Sequence, residues 1–367
     1  MIATRLRLRD FRSYAAADVA LGEGLTVVHG PNGAGKTNLL EALYFGCTGR
    51  SCRTSNEREV VRFDAQVARV EVDLRDDDGA PHTLSVGFEP GEAKRIQADG
   101  VNVDRVDIRS RPLICVFLPD RLELVKGPPA LRRSHVDQVV AALWPGRSST
   151  RRAYGQALAQ RNALLARVRG GRASASSLPA WDAELARHGI ALRDDRASSV
   201  ELLAGPFTSI AAALGLGEDG ELRYRPRSRA EDAAALAAEL AAHTPSDLER
   251  GFTGHGPHRD DVGLLRAGRE LRAYGSQGEQ RLALLALLLA EREVLAASRR
   301  AVPLMLLDDV MSELDPDRRA LLAGMLGGDG QSVMTTTDLA HVPGACEPAV
   351  TRLAVAGGAV LQDTLAA

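Results

Sequence analysis

The feature that most constrains this chain is a glycine-rich loop at residues 30–37, which lies between an apolar run at 25–28 and a helical leucine pattern from 39 onward. It reads Gly30, Pro31, Asn32, Gly33, Ala34, Gly35, Lys36 and Thr37. In a G-x-x-x-x-G-K-T loop between a strand and a helix, the glycines let backbone N–H groups converge on phosphate oxygens. The sequence therefore predicts a nucleotide-binding α/β fold.

Two side chains of this loop have predicted roles. Lysine is rare in the chain, because only Lys36, Lys94 and Lys126 are lysines among 46 basic residues. A compact ammonium fits a phosphate cradle where a planar guanidinium would not. We expect Lys36 to bind the β- and γ-phosphates and the Thr37 hydroxyl to bind Mg2+.

The composition indicates a soluble cytoplasmic protein. The chain has 367 residues, of which 45% are hydrophobic, and a net charge of −2. Its N-terminus alternates like a strand and does not resemble a signal peptide. The longest apolar run, 282–290, has nine residues, whereas a membrane span needs roughly 20. The four cysteines form no Cys-x-x-Cys pair, which argues against a zinc site or a disulfide framework.

A second nucleotide motif lies near the C-terminus, where an apolar strand at 302–307 ends in Asp308 and Asp309. This pattern is typical of a Walker B strand. We expect Asp308 to hold the Mg2+ that Thr37 also binds, and Asp309 to orient or deprotonate the attacking water.

Residues 274–280 open a helix that is apolar nearly all round, and Ser276 lies 32 residues before Asp308. Ser276 and Glu279 alone would form only a capping box, but in this position the segment resembles the signature motif of ABC-type ATPases. That resemblance implies that Ser276 and Gly278 contact ATP bound to another subunit, so ATP would drive formation of a homodimer. Lys36, Ser276, Asp308 and Asp309 are then the predicted catalytic residues. The Q-loop and switch residues stay unassigned, and Asp309, where transporters carry glutamate, predicts slow hydrolysis.

The resemblance implies an ABC-type ATPase lobe, and the pattern along the chain predicts antiparallel β hairpins in it and an inserted, mainly α-helical lobe. Alternating segments at 67–74 and 83–88 flank a turn, and 113–118 reads as a buried strand. From about 129 to 245 the chain is rich in Ala, Leu and Arg with helical spacing. We therefore place the ATPase lobe at 1–128 and 251–367 and the helical lobe at 129–250.

Lys36 and Ser276 are 240 residues apart, a spacing that resembles the heads of SMC-type and RecF-type ATPases. The insert is too short for the long SMC coiled coil, and further blocks resemble the RecF family: 8–14, 49–54, 118–120, 124–133, 256–261 and 276–281. This resemblance implies an ATP-dependent DNA-binding protein that acts with RecO and RecR to load RecA at single-stranded gaps. It also implies roles in replication, recombinational repair and the SOS response, with weak DNA-stimulated ATP hydrolysis as a switch.

Arginines are the candidate DNA contacts. Seven arginines and no acidic residue lie between Arg147 and Arg172, a stretch that could bind phosphates or could be an ordinary solvated helix face. The individual candidates are Arg50, Arg53, Arg151, Arg152 and Arg161. No base-reading motif is visible, so we expect contact with the DNA backbone without sequence specificity.

Three other functions are weighed against this one. An ABC-type subunit that energises transport is the main alternative, although transporters have a shorter motif spacing. A helicase or nuclease lacks support, because no second set of motor motifs and no separate carboxylate cluster is present. His255 and His258, with Asp260 and Asp261 nearby, could suggest a metal site. Loop packing or interface contacts are the preferred interpretations, because the block belongs to the RecF-like pattern and no third ligand is spaced to complete a site.

Overall fold

The fold is described from a computed structural model, which covers residues 1–328 and 330–362. Contacts divide the chain into two compact units. Unit 1 contains Met1–Arg121 and the chain from Leu295 onward, and unit 2 is Leu122–Val294. None of the described helices combines the length and apolar character that crossing a bilayer requires.

The strands and helices, connected by loops and short 3-10 turns, are named in chain order. The strands are β1 (Ile2–Phe11), β2 (Tyr14–Ala20), β3 (Leu25–His29), β4 (Ala68–Arg75), β5 (Pro81–Phe88), β6 (Arg95–Ala98), β7 (Val101–Val103), β8 (Ile114–Phe117), β9 (Gly220–Arg225), β10 (Asp261–Arg266), β11 (Arg269–Glu270), β12 (Leu304–Leu307), β13 (Ser332–Thr336), β14 (Thr351–Ala356) and β15 (Ala359–Gln362). The helices are α1 (Lys36–Thr48), α2 (Glu123–Lys126), α3 (Pro129–Leu143), α4 (Ser148–Arg169), α5 (Leu178–Ala213), α6 (Ala233–Arg250), α7 (Leu271–Tyr274), α8 (Gln277–Arg299) and α9 (Pro316–Leu326).

Unit 1 contains two six-stranded sheets. The first has the strand order β2-β1-β4-β5-β6-β7, and its neighbouring strands are all antiparallel. Its central hairpin, β4 and β5, confirms the hairpin predicted from alternation: Val70, Val72 and Leu74 are buried at every second position. This period of two places one face of β4 toward the core.

The second sheet has the order β15-β14-β3-β13-β12-β8 and is parallel except for the terminal pair β14 and β15. The predicted strands at 113–118 and 302–307 correspond to β8 and β12. Because β3, β13 and β12 are parallel neighbours, the loops that follow them leave the sheet at the same edge. These loops begin near Gly30, Asp308 and Thr337, so this topology brings the glycine-rich loop and the two aspartates together.

Helix α1 contacts both sheets of unit 1. Leu39, Leu40 and Leu43 are buried in one cluster with side chains from each sheet. Gly46 permits the close approach, because a Cβ atom there would lie 2.5 Å from Cγ2 of Val72. The helix that carries the glycine-rich loop is therefore fixed by hydrophobic burial on more than one side.

Unit 2 is mainly helical and contains one small antiparallel sheet, β11-β10-β9. The long helix α5 contacts α4, α6 and β9. Tyr154, Leu185 and Leu236 belong to the buried cluster that joins three of its helices. The segment between α4 and α5 contains Gly170, Gly171 and a short 3-10 turn.

The second unit is larger than the helical lobe placed at 129–250 from sequence. Strand β9 lies inside the segment predicted to be helical, and it pairs with β10 along its whole length. This pairing joins residues 261–266 to the helical segment. Unit 2 extends to Val294 and so includes most of α8. The sequence-based boundary at 250 thus differs from the boundary that the contacts give. The alternation of polar and apolar residues from Glu221 to Arg225 was the available signal for β9, in a strand of only six residues.

Candidate nucleotide-binding site

The glycine-rich loop has the backbone geometry that its sequence predicts. Gly30 has φ of +151°, and a Cβ atom there would lie 2.2 Å from the carbonyl oxygen of Val355. Gly35 has φ of +114°, and its Cβ would lie 2.9 Å from Oγ of Ser13. Only glycine combines these dihedral angles with this lack of space. Helix α1 begins directly afterwards without a side-chain N-cap or an acidic residue in its first turn, as suits an anion-binding helix end.

Backbone carbonyl groups of the glycine-rich loop hold the Lys36 side chain in place. Its Nζ donates to the carbonyl oxygens of Gly30 and Pro31 at 2.8 and 3.0 Å. Burial lowers the pKa of Lys36, and the charges of Asp309 and Asp308 partly oppose this effect. The ammonium is thus positioned at the loop before any ligand arrives, and binding a phosphate exchanges carbonyl partners for phosphate oxygens.

Three side chains from three segments meet beside the lysine. Oγ1 of Thr37 donates to the Asp308 carboxylate, at 2.8 Å from Oδ1 and 2.9 Å from Oδ2. Oγ1 of Thr335, on β13, donates to Oδ1 of Asp308 at 2.7 Å. Burial raises the pKa of Asp308, while these two hydrogen bonds act in the opposite direction. A hydroxyl and a carboxylate are hard oxygen donors, so Thr37 and Asp308 fit Mg2+.

Asp309 has a different environment from its neighbour. It lies at φ of +48°, where the chain leaves β12. Its N–H donates to Oγ1 of Thr335 at 2.9 Å, and its buried Oδ1 has no hydrogen-bond partner among the described residues. A buried acceptor without a partner marks a position where water or ligand is expected. This geometry agrees with the predicted role of Asp309 in orienting water, which stays a prediction.

A cavity of about 330 Å3 lies over the loop and is lined by Lys36, Thr37, Arg53, Asp308, Asp309 and Thr335. Arg53 was predicted as a DNA contact. Its Nη1 instead donates to Oδ1 of Asn38 at 3.1 Å and Oε2 of Glu41 at 3.3 Å, both on α1. The structure therefore places Arg53 at the nucleotide cavity. Arg50, the other candidate of this pair, is exposed.

Sequence reasoning missed Glu41, which fixes the loop that carries Arg53. Glu41 is fully buried, and Nε and Nη2 of Arg12 donate to its carboxylate at 2.9 and 2.8 Å. Oγ of Ser51 also donates to it at 2.5 Å. Four donors on one buried carboxylate stabilise its charge. Thr335 was likewise missed as a contact of Asp308, although its place at the end of β13 was the available signal.

The segment around Ser276 forms a capping box. The N–H of Ser276 donates to Oε2 of Glu279 at 2.7 Å, and the N–H of Glu279 donates to Oγ of Ser276 at 3.3 Å. Nε2 of Gln280 fixes the preceding turn by donating to the carbonyl oxygens of Leu271 and Gly275 at 2.9 and 3.2 Å. Ser276 and Gly278 are exposed. The segment thus presents a rigid helix end at the surface of unit 2.

Arg161 does not form part of a DNA-binding surface, so this prediction is wrong. Its side chain is fully buried and donates to carboxylate oxygens of Asp182 and Asp247 at 2.6 and 2.7 Å. A charged group with two carboxylate partners inside a helical core has a structural role. The remaining candidates on α4 differ: Arg151 is exposed but pairs with Asp137 at 3.1 Å, whereas Arg152 is exposed at the surface.

The histidine block at 255–261 is also structural. Nε2 of His258 lies 2.9 Å from the carbonyl oxygen of Thr253 and Nδ1 lies 2.7 Å from the Tyr154 hydroxyl. Burial lowers the pKa of His258 to about 4. Asp260 accepts hydrogen bonds from the Tyr224 hydroxyl and the Arg227 N–H. Within residues 1–328 and 330–362, no cluster of three metal-binding side chains exists.

The parallel sheet, the glycine-rich loop and the Thr37–Asp308 pair define an ATPase of the ABC/SMC type. In agreement, the family described as the RecF/RecN/SMC N terminal domain matches residues 2–348. The head of an Smc protein bound to the C-winged helix domain of ScpA has the same fold, with a TM-score of 0.60 at 17% identity, over 100% of this chain and 98% of that one.

Curated relatives narrow the class. The DNA replication and repair protein RecF of Myxococcus xanthus is 39% identical over 97% of this chain and 96% of its own length. RecF of Frankia alni is 38% identical over 99% of this chain and 100% of its own length. The solved structure of the recombination mediator protein RecF-ATPrS in the RecFOR pathway has a TM-score of 0.86 at 27% identity, covering 99% of this chain and 98% of that one. The chain belongs to the RecF family.

Proposed function

We propose that this chain is an ATP-dependent DNA-binding repair protein of the cytoplasm. ATP and Mg2+ bind the cavity of unit 1, ATP binding drives formation of a homodimer on DNA, and slow, DNA-stimulated hydrolysis releases it. By analogy with its relatives, the chain acts with RecO and RecR to promote loading of RecA at single-strand/double-strand junctions. It thereby supports replication, recombinational repair and the SOS response.

The observation that carries this proposal is the preassembled cluster of Lys36, Thr37, Asp308 and Thr335. When bound, Mg-ATP supplies a γ-phosphoryl group that can be transferred to water. Lys36 would neutralise phosphate charge, Thr37 and Asp308 would hold the metal, and Asp309 would orient water through its Oδ1, which has no hydrogen-bond partner among the described residues. Backbone N–H groups at the start of α1 bind the remaining phosphate oxygens. The solved structure described as RecF-ATP, with a TM-score of 0.86 to this chain, supports the choice of ATP.

Dimerisation is supported by the exposed segment at Ser276. The capping box leaves the hydroxyl hydrogen of Ser276 available as a donor, because Oγ serves as the acceptor. A Cβ atom on Gly278 would meet only Oγ of Ser276, at 4.0 Å. The chain itself therefore does not require glycine at this position, whereas close approach of a phosphate from another subunit does. Two such contacts related by a twofold axis make ATP the link between subunits.

The DNA-binding surface is assigned to the exposed face of α4. This helix carries no acidic residue, and Arg152 and Arg167 are both exposed. Fifteen residues of α-helix separate them by about 22 Å, a length that matches several phosphates along one strand. Binding through phosphates gives affinity that falls with salt and does not depend on base sequence.

The dimer is tested by the molar mass of the full chain in solution, measured by light scattering with ATP, with ADP and without nucleotide. We expect twice the monomer mass only with ATP. The same mass under all three conditions would contradict the proposed dimer.

The DNA surface is tested with the double variant Arg152→Ala, Arg167→Ala. We expect a shallower salt dependence and about tenfold weaker binding to short duplex DNA, measured by fluorescence anisotropy at two salt concentrations. Arg187→Ala is the control, because Arg187 is exposed but pairs with Glu184 at 2.7 Å. Unchanged affinity in the double variant would exclude α4 as the binding surface.

A further inference from the structure

An ion pair lies directly beside the capping box of α8. Nη1 of Arg266, at the end of β10, donates to Oε1 of Glu279. The other carboxylate oxygen of Glu279, Oε2, accepts the Ser276 N–H. Glu279 therefore has one oxygen for the helix end and one for the arginine. Arg266 has no part in the nucleotide cavity of unit 1 or in the predicted signature motif.

The ion pair between Arg266 and Glu279 reduces the negative charge beside Ser276, at the start of α8. A carboxylate at a helix N-terminus stabilises the helix by favourable interaction with its dipole. The same charge repels a second anion that approaches the same N–H groups, at a distance where salt screens little. A γ-phosphate would have to approach Ser276 within a few ångströms of Glu279. The segment needs the hydrogen bond that Glu279 accepts, but not its net charge.

We propose that Arg266 is a positioning residue for the signature segment: it neutralises Glu279, so that Ser276 and the end of α8 can accept a phosphate group of ATP. The inference rests on the proposed ATP-dependent dimer and extends it to a residue outside the motif. Arg266 does not touch the nucleotide. It acts through the charge of Glu279, and both lie in unit 2.

The position of Arg266 supports a specific role for this arginine. In the hairpin of β10 and β11, its register partner is Arg269, which is also exposed. The structure shows an ion pair with Glu279 for Arg266 and none for Arg269 among the described contacts. The two arginines therefore share strand geometry and exposure and differ in this contact, which makes Arg269 a matched control.

The test compares ATP-dependent dimerisation of Arg266→Ala, Arg266→Lys, Arg269→Ala and the double variant Arg266→Ala, Glu279→Gln. Dimer dissociation constants are measured by sedimentation of the full chain at saturating ATP, and nucleotide affinity of the monomer is measured with a fluorescent ATP analogue. Arg266→Ala should weaken the dimer about tenfold, because the dimer contains two copies of the site, each worth about threefold. Arg266→Lys and Arg269→Ala should stay within about threefold of the unmodified chain, and nucleotide affinity should not change.

The double variant separates charge from structure. Glutamine at position 279 retains the capping hydrogen bond and removes the negative charge, so it should restore the dimer lost in Arg266→Ala. If the double variant remains as weak as Arg266→Ala, or if Arg266→Ala dimerises normally, the inference is overturned while the proposed dimer stands. If the unmodified chain fails to dimerise with ATP, the proposed dimer fails first and the inference with it.

Discussion

The cavity of unit 1 and the signature segment of unit 2 satisfy their polar groups in different ways. In the cavity, Lys36 bonds the loop carbonyls and Asp308 accepts hydroxyls from Thr37 and Thr335. At the signature segment, the capping box satisfies Ser276 and Glu279, but the helix end itself is exposed. The cavity is a nearly complete site with internal partners, whereas the segment is an exposed surface, proposed to bind the nucleotide of another subunit.

This difference indicates what each region does with ATP. A cavity whose charges pair with one another must exchange these partners when a nucleotide binds, so its residues determine affinity and chemistry. An exposed helix end loses few contacts on binding and contributes only when a second surface approaches. Substitutions in the cavity should therefore change the monomer, and substitutions in the segment should change only the assembly.

Lys36→Met gives the largest expected effect and tests the cavity side of the comparison. Methionine keeps the apolar stem but removes the charge that faces the phosphates, so ATP affinity should fall by about a hundredfold or more. Nucleotide affinity is measured by calorimetry. Lys126→Met, at an exposed lysine of α2 that pairs with Glu123, is the control. Nucleotide binding that survives Lys36→Met would contradict the assignment of the cavity.

Ser276→Arg tests the signature segment of unit 2, the second region in the comparison. A long cation in place of an exposed hydroxyl blocks close approach of a second subunit. It removes one hydrogen bond of the capping box, the one that Oγ accepts, and keeps the other, which the backbone N–H of residue 276 donates to Glu279. ATP affinity of the monomer should remain within about twofold, while the ATP-dependent dimer is lost. Light scattering and calorimetry on one preparation measure both quantities. A normal dimer in this variant would remove the signature segment from the interface.

The sequence predicted the cavity better than its surroundings. Local sequence patterns identify the glycine loop, Asp308 and Asp309. The phosphate site needs glycines that adopt special dihedral angles and carboxylates at a strand end, and each of these features is determined by a few consecutive residues. Thr335 and Glu41 were missed because their roles depend on strand order and on partners far away in sequence. Arg161 was misassigned for the same reason: its local pattern is that of an exposed basic helix, and only Asp182 and Asp247 show that it is buried.

Thr335→Val tests a residue that only the structure identifies. Valine has nearly the same shape but removes the hydroxyl that donates to Asp308 and accepts the Asp309 N–H. The Asp308 carboxylate and the Asp309 backbone N–H each lose a fixed partner, so kcat for ATP hydrolysis should fall about tenfold with ATP affinity nearly unchanged. Steady-state phosphate release measures this. Thr336→Val is the comparison, because that hydroxyl donates to the Asp338 carbonyl oxygen at 2.8 Å. Equal effects of both variants would argue for general disruption of β13.

Asp308→Asn gives the smallest expected change, which is in thermal stability. It tests whether a carboxylate that the nucleotide site needs for the metal also destabilises the fold without nucleotide. Burial raises the pKa of Asp308 above its ordinary value of 3.8, so the folded chain binds this proton more tightly than the unfolded chain does. Stability is therefore lost as pH rises from the ordinary value through the raised one, and the loss is complete above it. Asparagine removes that cost, so Tm without nucleotide should rise by about 2–4 °C at pH 7.

The pH dependence and the nucleotide dependence of this variant distinguish a charge effect from a packing effect. By scanning calorimetry, the gain in Tm should narrow as pH is lowered toward the ordinary carboxyl pKa, because the folded chain then carries a neutral Asp308 as well. With Mg-ATP the unmodified chain should have the higher Tm and Asp308→Asn the lower one, since ligand binding stabilises only the chain that can hold the metal. A lower Tm for Asp308→Asn at pH 7 without nucleotide would show that the hydrogen bonds from Thr37 and Thr335 outweigh desolvation, and that this carboxylate stabilises the fold it serves.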